Sequence, residues 1–93
     1  MKITVQFTTQ LKAALGLAET IIDLPPNANV QALISCLDKE HSPTFRQFAL
    51  DQNGRFLPSL IICINDQQCS GDVLQQPLTD GDQVALVSAI SGG

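Results

Sequence analysis

Few residues in this 93-residue sequence carry side chains suited to chemistry. They are three cysteines, Cys36, Cys63 and Cys69, a single histidine, His41, and the acidic pair of Asp80-Gly81-Asp82. The cysteines are scattered, without the close pairing of a zinc clamp. Cys36 falls in a helical apolar pattern and Cys63 in a strand-like run, where a thiol serves as a small hydrophobe. Cys69 lies in a polar, turn-rich stretch and is the thiol expected at the surface, with no base nearby in sequence to activate it. His41 follows a helical pattern, where a cation is mildly favoured, and reads as a surface residue. Asp80, Gly81 and Asp82 have the composition of a turn, and no third ligand stands near them to hold a metal. No nucleophile–base pair or phosphate loop is present, so the chain by itself is expected to be neither an enzyme nor a metal or cofactor binder.

The remaining candidate is the ending, VALVSAISGG. A terminal carboxylate is a poor electrophile until it is activated, for example by adenylation. A site that does this must close around a peptide end and exclude water, because an acyl-adenylate hydrolyses. Two glycines suit such a site: they present no side chains and permit close backbone approach. On this reading Gly93 carries the chemistry, while Gly92, Ser91 and Ile90 are recognised as the tail, with Ile90 as an apolar anchor. The bland alternative is a frayed end without a role.

The elements that must hold such a tail can be read from periodicity. Ile3, Val5 and Phe7 alternate within Lys2 to Thr8, the mark of a half-buried strand. LKAALGLA reads as a loop around Gly16. Glu19 to Leu24 forms a second strand, closed by Pro25-Pro26. Asn29 can cap a helix carrying Val30, Leu33, Ile34 and Leu37 on one stripe and running to about Glu40. TFRQFAL suggests a further helical turn with Phe45, Phe48 and Ala49 on one face. Leu60 to Ile64 is a β-branched central strand, Asn65-Asp66 a turn, and Gln67 to Cys69 a short edge strand. A last strand runs from Gln83 to about Ala89. Within the Leu60–Ile64 run, Ile61 and Cys63 face away from Leu60, Ile62 and Ile64, and this outward set is a candidate docking patch with Phe56 at its rim.

Composition bounds the function. With 44% apolar residues the chain can bury a core. Five basic residues against nine acidic, and four Phe as the only aromatics, leave no footprint for nucleic acid. The mild acidity instead suits a partner with a basic docking face. No apolar run nears the roughly 20 residues of a membrane span, and MKITVQF alternates where a signal peptide would be continuously apolar, which points to the cytoplasm. The order of elements predicts an α+β chain: a mixed four- to five-stranded sheet with one main helix on one face, and the first and last strands parallel. This is a β-grasp arrangement similar to ubiquitin, with residues 1–89 as the domain and 90–93 as a flexible diglycine tail.

The stretch QQPLTDGDQVALVSAISGG, with ICIND before it, resembles the ubiquitin-like sulfur carriers of molybdopterin, thiamine and cysteine biosynthesis. The shared elements are Leu78, Asp80, Gly81, Asp82 and Val84 in the turn and strand, then Gly92-Gly93. The resemblance implies a carrier whose Gly93 is adenylated at the expense of ATP by an E1-like activating enzyme and converted to a thiocarboxylate. It also implies a synthase large subunit or another sulfur-accepting enzyme as partner. The segment between helix and central strand favours the molybdopterin or cysteine type over the compact thiamine carriers. Two other uses of the same features are a ubiquitin-like protein modifier and a β-grasp interaction domain without chemistry. A plant-type ferredoxin, which shares the fold, would need four cysteines at fixed spacing.

Overall fold

The apolar–polar alternation of the first residues becomes strand β1, Lys2–Phe7, with Ile3, Val5 and Phe7 buried. The computed structural model describes residues 1–57, 60–69 and 71–88. Helix α1, Thr9–Leu15, follows, then β2, Glu19–Asp23, helix α2, Val30–His41, and helix α3, Thr44–Ala49. Strand β3 spans Leu60–Ile64, β4 Gln67–Gln68 and β5 Gln83–Ser88, with a single 3-10 turn at Val73–Gln75 before β5. The five strands form one mixed sheet in the order β2-β1-β5-β3-β4. β1 and β5 pair in parallel and the other neighbours are antiparallel. This is the β-grasp architecture the sequence predicts.

The long helix begins where its cap predicts, with the Asn29 side chain accepting from the Ala32 N–H at 3.0 Å. Its stripe of Val30, Leu33, Ile34 and Leu37 is buried in one cluster with Ile3, Val5, Val84, Leu86 and Ile62 from the sheet. Hydrophobic burial between that stripe and one face of the sheet therefore organises the molecule. Asn65 and Asp66 form the two-residue connection from β3 to β4, both with positive φ (52° and 71°). Two central residues with positive φ match the twist of an antiparallel hairpin.

Three expectations need correction. The stretch read as a loop around Gly16 holds α1, whose Leu11 is buried and whose end is set by Gly16 at φ 66°. Gly16 is therefore a helix stop, donating its N–H to the Lys12 carbonyl, and not the centre of a loop. In α3, Phe45 and Ala49 are buried but Phe48 is 41% exposed. A six-residue helix buries only a narrow stripe, and i+3 falls at its margin. His41 is half-buried, packed edge-on against Phe7 with ring centroids 6.2 Å apart.

Among the described residues, no helix is long and apolar enough to cross a membrane.

Candidate functional site

The strand that leads to the tail sits in the middle of the sheet. On one flank β5 is paired with β1 from Thr4↔Gln83 to Phe7↔Leu86. On the other it is paired with β3 from Ile64↔Val84 to Leu60↔Ser88. Val87 and Ser88 thus extend beyond the last β1 rung and are held by β3 alone. Next to this end the Thr8 hydroxyl donates to the Leu86 carbonyl at 3.0 Å. Ile90, Ser91, Gly92 and Gly93 lie outside the described residues, as does Ala89.

The sheet has one face turned to the helices and one turned away. Val84 and Leu86 point into the core, so Ala85 and Val87 point outward. Ile61 pairs with Val87 and Cys63 with Ala85, which makes a continuous outward patch of four half-buried apolar side chains ending beside Ser88. Gln68 flanks it across β4, and Gln6 across β1. Ile21, 60% exposed, shares this outward face on the outer strand β2, next to Thr4. The structure therefore brings Ile61 and Cys63 together with Ala85 and Val87 on the outward face of the C-terminal half of β5.

Phe56 is not part of that patch. It bridges to Leu50 and lines a groove of about 520 Å³ with Leu60, Ile62, Val73 and Leu74, on the helix side of β3. The reason is parity: Leu60 and Ile62 point opposite to Ile61 and Cys63.

At the other end of β5 the acidic turn does structural work. Asp82 is 8% exposed and accepts from the Thr79 N–H (2.8 Å), the Thr79 hydroxyl (2.9 Å) and the Asn65 side-chain amide (2.9 Å). Asn65 in turn accepts from the Gln83 N–H at 3.0 Å, so the β3–β4 turn is tied to the start of β5. Burial raises the Asp82 pKa, but the bonds from Thr79 and Asn65 outweigh it and hold the carboxyl below its ordinary range. Asp80 accepts from the Lys2 N–H at 2.7 Å. Among the described residues no group of three or more His, Cys, Asp or Glu is placed to hold a metal. All three cysteines are free and half-buried, so Cys69 is not singled out by exposure.

Of the residues around the C-terminal half of β5, the sequence pointed to Ile61 and Cys63 as a docking patch but not to Ala85, Val87 or Thr8. Alternation along β5 already puts Ala85 and Val87 on one face. Which strand lies beside them is a matter of register, and that is not written locally.

The fold is shared with proteins of known structure. Small archaeal modifier protein 1 of Haloferax volcanii superposes with a TM-score of 0.84 at 17% identity, over 96% of this chain and 98% of that one. CysO of Amycolatopsis orientalis, solved in complex with BexX, gives 0.71 at 21% identity over 98% and 99%. The complex of subunits 1 and 2 of the molybdopterin-converting factor from Helicobacter pylori gives 0.67 at 22% identity, over the full length of both chains compared. No curated protein matches the sequence. The ThiS family model matches residues 5–93, a span that includes the outward patch, the acidic turn and both glycines. The chain belongs to the ThiS family, the ubiquitin-like sulfur carriers that its ending resembles.

Proposed function

We propose that the protein carries sulfur on the carboxylate of Gly93. The observation that bears most weight is the family match, which runs through Gly92-Gly93. An E1-like activating enzyme brings the carboxylate oxygen to the α-phosphorus of ATP, and pyrophosphate leaves. Hydrosulfide from the sulfur donor then attacks the acyl carbon and AMP departs with one of the original oxygens, leaving a thiocarboxylate and releasing the hydrosulfide proton. That sulfur passes to an acceptor bound by a synthase subunit or other enzyme, in molybdopterin-type cofactor or cysteine biosynthesis. The chain is a co-substrate in these steps and supplies no catalyst.

The patch of Ile61, Cys63, Ala85 and Val87 fits this role physically. A partner seated there gains apolar burial close to Ser88, so body and tail can be gripped by one protein. Ile90, Ser91 and Gly92 then thread the narrow approach to the reacting carbon, which only side-chain-free residues can fill at its end.

The test is intact mass spectrometry after incubation with the activating enzyme, ATP and a sulfur donor. A gain matching one oxygen exchanged for one sulfur, mapped to Gly93 and lost when Gly93 is deleted, supports the proposal. An unchanged mass, with an enzyme competent on another carrier, refutes it. The likeness to small archaeal modifier protein 1 favours a second reading, transfer of the same activated tail to lysine amines on other proteins. A ladder of heavier conjugates in extract, absent for the chain lacking Gly93, is its signature.

A further inference from the structure

Beyond Leu86, strand β5 has lost one of its two neighbours. β1 ends at Phe7, and Thr9, at φ 47°, turns the chain away into α1. The Leu86 carbonyl faces the side that β1 has vacated, and a backbone acceptor there needs another donor or water. The Thr8 hydroxyl is that donor, at 3.0 Å in a partly buried position.

Thr8 is also the residue that starts α1, and its own carbonyl accepts from the Lys12 N–H at 3.2 Å. A threonine at a helix start ordinarily turns its hydroxyl onto the helix's free N–H groups. Here the side chain makes no such bond. It reaches across to β5 instead, joining residues 78 apart in sequence.

We propose that Thr8 is a positioning residue for partner binding: its hydroxyl fixes the C-terminal part of β5, the strand that precedes the tail in sequence. Its functional consequence rests on the sulfur-carrier reading, while its hold on β5 does not. Without the bond, β5 would lose the last tie on its β1 side, at Leu86, just before the two residues held by β3 alone, and the partner would have to order the end of β5 before it could use the tail. That cost falls on binding and not on the chemical step.

The experiment compares Thr8→Val, which keeps the shape and loses the hydroxyl, with Thr8→Ser, which keeps the hydroxyl. Amide hydrogen exchange at residues 86–88 and steady-state thiocarboxylation are measured for both. The Val variant should exchange faster at these amides and show a raised KM for the carrier, each by about three- to tenfold, the range of one neutral hydrogen bond. Its kcat should stay within about twofold, as for an interaction made equally in bound and transition states. Thr8→Ser should restore both quantities. Unchanged exchange in Thr8→Val overturns the hold on β5. Faster exchange with an unchanged KM, or a fall in kcat alone, overturns the positioning role. If the wild-type chain is not thiocarboxylated at all, the sulfur-carrier reading falls and takes the functional half with it, while the exchange result still decides the structural half.

Discussion

Asp82→Asn tests the claim that the acidic turn is structural. The carboxylate accepts three hydrogen bonds, from the Thr79 N–H, the Thr79 hydroxyl and the Asn65 amide, at 2.8 to 2.9 Å. Bonds to a charged acceptor contribute about 1.5–3 kcal/mol each, but these share one group and do not add. Asparagine keeps one acceptor oxygen and presents an N–H₂ where the other oxygen stood. A net loss of about 2–3 kcal/mol at pH 7 follows, which lowers Tm by roughly 10–20 °C in a domain of this size. The sign of the pH dependence follows from the depressed folded-state pKa. The contribution is complete above the unfolded value of about 3.9 and is lost as pH falls through the lower folded value. Thermal unfolding of both proteins, followed by circular dichroism from neutral pH to about pH 2.5, should therefore show a gap that narrows only at the acid end. A variant as stable as wild type at pH 7, or a gap of constant size throughout, would refute the reasoning.

Gly93→Val should abolish thiocarboxylation while leaving Tm unchanged, because a β-branched side chain blocks the approach while the buried core described here draws on residues from Ile3 to Leu86; intact mass and a melting curve check the two halves. Ile61→Glu, on the outward patch, should raise the KM for the activating enzyme by tenfold or more, on the order of the cost of desolvating a charge in an interface. A normal KM in that variant would place docking elsewhere. Leu11→Ala should cost about 2–4 kcal/mol in urea unfolding, since Leu11 is the buried side chain by which α1 joins the core. A cost below about 1 kcal/mol would mean that α1 is only draped on the surface.

The strands were legible because their alternation is complete within six or seven residues, as in Ile3, Val5 and Phe7. The long helix was legible because cap and stripe occur together at Asn29, Val30, Leu33, Ile34 and Leu37. Helix α1 was not, although Leu11, Leu15 and Gly16 carry its spacing and its stop. Seven residues give barely two turns of periodicity, and a glycine within an alanine-rich stretch reads equally well as a loop. Around the candidate site, parity told which residues of β3 and β5 face outward. It could not tell that Ile61 lies against Val87, or that Phe56 sits on the helix side, because those facts depend on register and on the path from α3. The Thr8 contact is the extreme case: a hydroxyl and a carbonyl meet across almost the whole chain, and nothing near either one announces it.

The place of β5 between β1 and β3 has a consequence for how the protein is made. Until β5 exists, the sheet is two unconnected hairpins, β1–β2 and β3–β4, and neither is large enough to be stable alone. The contacts that join them have high sequence separation, so their closure comes late and slows folding. During synthesis β5 must have left the ribosome before the core can close. A product stopped short of residue 83 would lack the strand that completes the sheet, and would reach the cell unfolded. Native structure thus certifies that translation has gone through to the strand preceding the diglycine, and folded copies without that strand do not accumulate to compete for partners.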